Sequence, residues 1–375
     1  MVEEGERKVE NKENKKVKIV LFILLILIII AIVILIGIYN KEIAEAAQEL
    51  MGDPVLKETE GVTIVPTMQE QLGENTLWCG TFQLIWNDLK NEVAKQDIIF
   101  QPQLSIVEHL NKEEFNTDML SEEYYYKKYG IATKELKEEI EKGIKEKFNE
   151  NSSILDSFDW ESGKNNYFLY AMLKREFEFN QEFDNLEKGT FAEKYENVRY
   201  FGIKEDTKQE VREQVRVLYY NSKDDLAILL QTKNGDEVIL CKTPEGNNFN
   251  EIYQKIVTSN YTGNQSLTEK ETLKIPEISI KEKKEYTDLE GKEFKLSTGE
   301  TNQIEKAMQT IEFKLNKKGG EIKSEAGMMN QKAIMIPTEE VREFNFDSTF
   351  TLFLREEGKQ MPYFAANISD ITKFQ

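Results

Sequence analysis

The stretch Thr310-Ile-Glu-Phe-Lys-Leu-Asn-Lys-Lys-Gly-Gly320 decides how the rest of the chain is read. Residues 310–316 alternate Ile, Phe and Leu with Glu and Lys, the period-two pattern of a half-buried strand. Lys317-Lys-Gly-Gly320 follows as a hinge, because glycine adopts backbone conformations closed to other residues. Residues 321–330, Glu-Ile-Lys-Ser-Glu-Ala-Gly-Met-Met-Asn, are a run with no turn chemistry of its own. Phe350-Thr-Leu-Phe-Leu354 and Tyr363-Phe-Ala-Ala-Asn-Ile368 then read as two closing strands joined by a polar turn over 355–361. A long loop between well-formed strands is functional or disordered, since ordering backbone without packing it costs conformational entropy. The loop is bait for a partner, or it is slack.

Composition narrows the partners. With 375 residues and 39% hydrophobic content the chain can bury a sizeable core. Its 68 acids against 49 bases give a net charge of -19, which disfavours nucleic acid, whose phosphates require Lys and Arg. Cys79 and Cys241 lack the clustered spacing of a metal site and are expected to be two free or partly buried thiols, with one optional disulfide as the alternative. The single histidine, His109, is expected to be structural or exposed, and its isolation removes most His-dependent nucleophilic and zinc chemistry. No cofactor, no metal and no catalytic residue are expected.

Residues 19–39 are an unbroken apolar run that at about 1.5 Å per residue spans a bilayer's hydrocarbon, so a transmembrane helix is expected. Lys12, Lys15, Lys16 and Lys18 precede it, which assigns 1–18 to a cytoplasmic tail and the remainder to the extracellular side of a single-pass protein. The alternative is a signal peptide cleaved near Ala44-Glu-Ala46, leaving a secreted chain. Residues 40–73 read as a spacer and 74–375 as the folded domain.

Helices are expected over 75–94, from Leu104, over 133–148 and over 249–257, with a short helix over 301–308. Strands are expected over 97–100, 166–179, 198–203, 212–220, 225–232, 237–243 and 274–280. Residues 281–293 read as a solvated Lys-Glu loop. Helices first and mixed strands later make an α+β chain with large mixed sheets.

From these segments the sequence resembles a serpin over most of 75–375, as a divergent, membrane-anchored, prokaryote-like member. Asp97-Ile-Ile-Phe-Gln-Pro-Gln-Leu-Ser-Ile106 is similar to a strand-to-helix passage of that family. Tyr167-Phe-Leu-Tyr-Ala-Met-Leu173, Leu273-Lys-Ile-Pro-Glu-Ile-Ser-Ile280, the strand ending at Gly319 and the two closing strands follow in the family's order. The resemblance implies a serpin-like α+β fold and a serine protease inhibitor that acts as a suicide substrate. Its reactive loop, about residues 319–342, would be cut by an extracellular serine protease and then insert into the main sheet. A monomer with no catalytic residue is implied; the alternative is a non-inhibitory binding or structural module with the same fold.

The resemblance carries specific residues. The reactive-loop hinge falls on Lys317, Lys318, Gly319, Gly320, Glu321, Ile322, Lys323, Ser324, Glu325 and Ala326. The bait bond falls at Lys332-Ala333, which would suit a trypsin-like protease, or at Ala333-Ile334. At strand period Gly320, Ile322, Ser324, Ala326 and Met328 share one face, so insertion is sterically open. Ile322 and Met328 are bulkier than the alanines the family prefers, and Lys323 and Glu325 would slow insertion. The sheet-switch region is expected at Glu277, Gln309 and Gln101, with Tyr170 or Ala171 beside them. Lys317 and Glu277 would form the family's hinge ion pair with its signs exchanged. The 110–133 stretch is too short for all the elements the family places there.

Overall fold

The computed structural model describes residues 58–375 apart from 152–154, 157, 159, 161–165, 176, 234 and 320–340. The chain divides into two units, 1–55 with 152–156 and 56–151 with 157–375. The second carries all the elements below.

Among the described residues eighteen strands run in chain order: β1 (Thr63–Val65), β2 (Asn75–Cys79), β3 (Tyr125–Ile131), β4 (Asn166–Lys174), β5 (Asp184–Asn185), β6 (Gly189–Phe191), β7 (Tyr195–Val198), β8 (Tyr200–Ile203), β9 (Val215–Ser222), β10 (Asp225–Gln231), β11 (Asp236–Lys242), β12 (Thr272–Pro276), β13 (Ile278–Glu285), β14 (Lys292–Lys295), β15 (Thr301–Leu315), β16 (Glu343–Asn345), β17 (Phe350–Glu356) and β18 (Phe364–Ile368). A seven-stranded sheet has the order β1-β2-β18-β17-β11-β10-β9, and a four-stranded one the order β16-β12-β8-β5. A five-stranded sheet runs β13-β15-β4-β3 with β14 also on β15, and β6 pairs β7. Helices Thr81–Asp88, Ser105–Lys112, Lys134–Phe148 and Phe249–Val257 flank these sheets. The expected α+β class with large mixed sheets is what forms.

The five-stranded sheet is covered on one side by Lys134–Phe148, whose buried stripe is Leu136, Ile140 and Ile144. Thr133 caps this helix by accepting from the Leu136 N–H. A Cβ at Gly143 would come within 2.3 Å of the Tyr126 ring, so the helix approaches β3 more closely than any other residue allows. The opposite face carries a separate core of Phe82, Trp86, Leu110, Leu169, Ala171 and Leu289. The larger core, with Leu77, Ile228, Leu240, Phe353 and Phe364 at its centre, lies on the seven-stranded sheet. Cys79 and Cys241 are both free and buried.

Several expectations are corrected. Residues 75–79 are a strand, because they pair with both β1 and β18 and every one is buried; the helix begins only at Thr81. The fold starts before residue 74, since β1 pairs in parallel with β2 and Ile64, Val65 and Met68 are buried, so 63–73 is no spacer. Residues 97–100 form no strand. The short helix over 301–308 is the first half of the 15-residue strand β15, held by β4 on one side and by β13 and β14 on the other. The Lys-Glu stretch after Ile278 extends strand β13, whose Glu282 accepts from the Thr59 hydroxyl at 2.5 Å. Among the described residues no helix is long and apolar enough to cross a membrane, the longest being the charged 15-residue Lys134–Phe148. The single-pass placement expected from sequence is therefore corrected, and the 19–39 run on which it rested lies outside the described residues.

Candidate functional site: the β4–β15 seam, its hinge and its exit

The centre of the five-stranded sheet is a parallel pair. β4 and β15 are in register from Asn166 opposite Gln303 to Lys174 opposite Glu312, with one irregularity between Ile304 and Lys306. No strand stands between them. Side-chain hydrogen bonds cross this seam. Asn166 Nδ2 donates to Glu305 Oε2 at 2.8 Å, and the Tyr170 and Thr310 hydroxyls lie 3.2 Å apart.

Beneath the seam, Gln309 of β15 is fully buried and hydrogen-bonded. Its Nε2 donates to Thr81 Oγ1 at 2.7 Å and to the Cys79 carbonyl at 3.1 Å, and its Oε1 accepts from the Tyr286 hydroxyl at 2.9 Å. Directly across the seam stands Ala171, whose side chain offers no polar atom. Burial pushes the neighbouring Cys79 thiol up to about 11, so it stays protonated. Gln309, assigned from sequence to a sheet-switch region, is a buried and hydrogen-bonded residue of β15. Gln101 is exposed and belongs to no such cluster. Thr81 and Tyr286, which complete the cluster, come from segments distant in sequence and carried no local signal.

At its end β15 turns into the hinge. Asn316 and Gly319 exchange two backbone hydrogen bonds of 3.0 Å, making a tight turn. The Lys318 N–H donates to Asn316 Oδ1 at 2.9 Å. Gly319 has φ +120°, and a Cβ there would stand 2.3 Å from the Phe177 carbonyl oxygen, so glycine is required twice over. The carbonyls of Lys317 and Lys318 accept from the N–H groups of Phe183 and Phe179, each at 2.9 Å. Lys317 Nζ pairs with Glu182 Oε1 at 2.6 Å. The sign-exchanged pair with Glu277 does not form; Glu277 is taken by Arg199 at 2.9 Å. Gly320, Glu321, Ile322, Lys323, Ser324, Glu325, Ala326, Lys332, Ala333 and Ile334 lie outside the described residues.

The chain is described again from Val341, and Arg342 fixes it there. Its guanidinium donates to Glu271 Oε1 at 2.6 Å and Oε2 at 3.0 Å, to the Tyr261 hydroxyl at 2.9 Å, and to the carbonyls of Asn264 and Ser266. Both partners of this ion pair are buried. Burial pushes the Glu271 carboxyl up, but Arg342 and the Thr268 N–H more than cancel it, leaving Glu271 below its ordinary value. On the other side Arg212, also buried, donates to the Glu271 carbonyl at 2.6 Å. Beyond this clamp β16 pairs in parallel with β12.

The histidine expected to be structural or exposed, His109, is partly exposed with Nδ1 2.8 Å from Glu70 Oε1. Among the described residues, no group of three or more His, Cys, Asp or Glu is arranged to hold a metal ion.

No family model matches the chain, and no curated protein sequence matches it. Among solved structures it is similar to Serpin48, a highly specific serpin of the insect Tenebrio molitor, at 14% identity and a TM-score of 0.50 over 80% of this chain and 92% of that one. Thyroxine-binding globulin in complex with thyroxine matches at 10% identity and a TM-score of 0.49, over 80% of this chain and 93% of that one. A serpin from Schistosoma mansoni matches at 14% identity and 0.40, over 62% and 63%. The likeness to Serpin48 shows the fold: the chain is serpin-like, α+β, with several mixed sheets.

Proposed function

We propose that this serpin-fold chain is a serine protease inhibitor of the suicide-substrate kind, with its reactive loop at about residues 319–342. The observation that carries the reading is the closed parallel pair β4–β15, whose second strand runs directly into a glycine hinge. A strand added between two parallel strands gains hydrogen bonds on both sides, which the chain can collect only after the loop is cut and its amino-terminal half is freed. The target protease performs the acyl chemistry with its own nucleophile. This chain supplies the bait bond, at Lys332-Ala333 or Ala333-Ile334, and the sheet that takes up the cut strand. A Lys332-Ala333 bond would suit a trypsin-like protease, whose specificity pocket accepts a basic side chain.

The loop sequence favours one second reading. Ile322, Lys323 and Glu325 are larger or more charged than residues suited to sliding into a sheet, which fits a non-inhibitory binding or structural module built on the same scaffold. A panel of serine proteases separates the two. The inhibitory reading expects a covalent complex that survives denaturing electrophoresis, with mass mapping of the cut at Lys332 or Ala333. Cleavage of the loop with no adduct from any protease in the panel would contradict it and leave the binding-module reading.

A further inference from the structure

The two faces of β15 above its irregularity differ in chemistry. Ala307, Ile311, Phe313 and Leu315 belong to the hydrophobic cores, and Gln309 to the buried cluster with Thr81 and Tyr286. Side chains alternate along a strand, so Thr310, Glu312 and Lys314 share the other face. Glu312 is half-buried and Lys314 exposed. On one side Glu312 meets Lys281 of β13 at 3.3 Å. Across the seam it faces Lys174, whose charge is met by Glu150. The Thr310 hydroxyl lies 3.2 Å from that of Tyr170 on β4.

The hinge turn sets the register of a strand that doubles back from it. Asn316 and Gly319 face each other as an antiparallel pair. A returning strand therefore meets β15 residue for residue, counted outward from that pair. Glu321 comes opposite Lys314, Lys323 opposite Glu312, Glu325 opposite Thr310 and Ala326 opposite Gln309. An acid meets a base, a base meets an acid, and the third charge meets two hydroxyls that can donate to it. The small Ala326 falls over the cluster that Gln309 already fills.

We propose that the seam is matched in charge to this chain's own loop: Lys314 and Glu312 are specificity-determining residues that receive Glu321 and Lys323 as cross-strand pairs when the cut loop enters. The proposal rests on the inhibitory reading above. It gives the loop charges that count against insertion a place in the inserted state. Opposite charges directly across a strand pair stabilise it, and like charges there destabilise it. Lys323 also comes beside Lys174, and the Glu150 partner of Lys174 limits that repulsion. A loop of the same length with these charges reversed would fit the seam in shape and be opposed at both positions.

The test uses the full chain cut between residues 330 and 340, and reads the gain in melting temperature on cutting, cut minus uncut for each variant. Lys314→Glu and Glu312→Lys should each trim that gain by about 1–3 °C, the shift that one cross-strand charge pair supplies in a chain of this size. Lys314→Glu with Glu321→Lys should restore the gain, and so should Glu312→Lys with Lys323→Glu. Lys314→Glu with Glu325→Lys, a charge reversal two rungs away from the match, should leave the loss in place. The proposal is overturned if the single reversals leave the gain unchanged, if the matched reversals fail to restore it, or if the Glu325 reversal restores it. A wild-type chain that gains nothing on cutting overturns the uptake of the loop and the inhibitory reading with it, an outcome distinct from a gain that is blind to these charges.

Discussion

The two feet of the candidate loop are built from different chemistry. At the amino-terminal foot, Gly319 and Lys317 are held by a small turn, two backbone hydrogen bonds donated by Phe179 and Phe183 and a half-exposed ion pair. At the carboxyl-terminal foot, Arg342 is buried and spends its guanidinium on Glu271, Tyr261 and two carbonyls, after which β16 is locked into the four-stranded sheet. Exposed pairs contribute about 0–1 kcal/mol, whereas taking one partner from a buried pair costs about 3–5 kcal/mol. The difference teaches which half of a cut loop is free to travel. On the proposed inhibitory reading the amino-terminal half would be the one to travel, since its foot is held by weaker contacts, and the carboxyl-terminal half would stay where it is.

The sharpest way to break this contrast is Arg342→Ala. It strands Glu271 in the interior, and about 3–5 kcal/mol of stability should be lost in urea unfolding. A loss no larger than that of an exposed pair would mean the two feet are alike. Gly319→Ala acts on the weaker foot, forcing a Cβ toward the Phe177 carbonyl at a φ that other residues rarely adopt. It should cost about 1–3 kcal/mol, and an unchanged urea midpoint would show that the hinge turn is not held as described. The smallest effect is with pH. The folded Glu271 carboxyl titrates below its unfolded value of about 4.3, so the stability it contributes is present above that value and is lost as pH falls through the folded one. The stability gap between wild type and Arg342→Ala should therefore narrow on acidification below about pH 4, and a gap that widened there would contradict the sign.

How far the sequence spoke for itself follows the range of the forces involved. Helix Lys134–Phe148 was legible because its Thr133 cap and its Leu136, Ile140 and Ile144 stripe are local signals. The meander β9, β10 and β11 was legible from alternation and turns, though its first strand begins after the short helix Gln209–Glu213. Residues 301–308 misled because Ile304, Ala307 and Met308 sit at helical spacing, and only pairing with β4 makes them strand. Trp78 misled similarly, because it continues the helical spacing of Phe82, Ile85, Leu89 and Val93, and only pairing with β1 and β18 makes 75–79 a strand. The charges of Lys281, Lys283 and Glu285 hid an edge strand, since β13 pairs on one side only.

At the candidate site the same rule holds. Gln309 and Gly319 were singled out from their places in the family-like order; the structure puts Gln309 in a buried hydrogen-bonded cluster and Gly319 in a turn that excludes a Cβ. Lys317 was singled out but its partner was not, because Glu182 is remote from it in sequence. Arg342 was passed over, since nothing near it in the sequence announces Glu271 as its partner.

One measurement bears most directly on the central claim that the β4–β15 seam takes up the cut loop. The chain is cleaved within 320–340, the fragments are left together, and thermal unfolding is compared with that of the uncut chain. Insertion of a new strand between β4 and β15 predicts a sharply higher melting temperature after cleavage. A melting temperature that is unchanged or lower would contradict it.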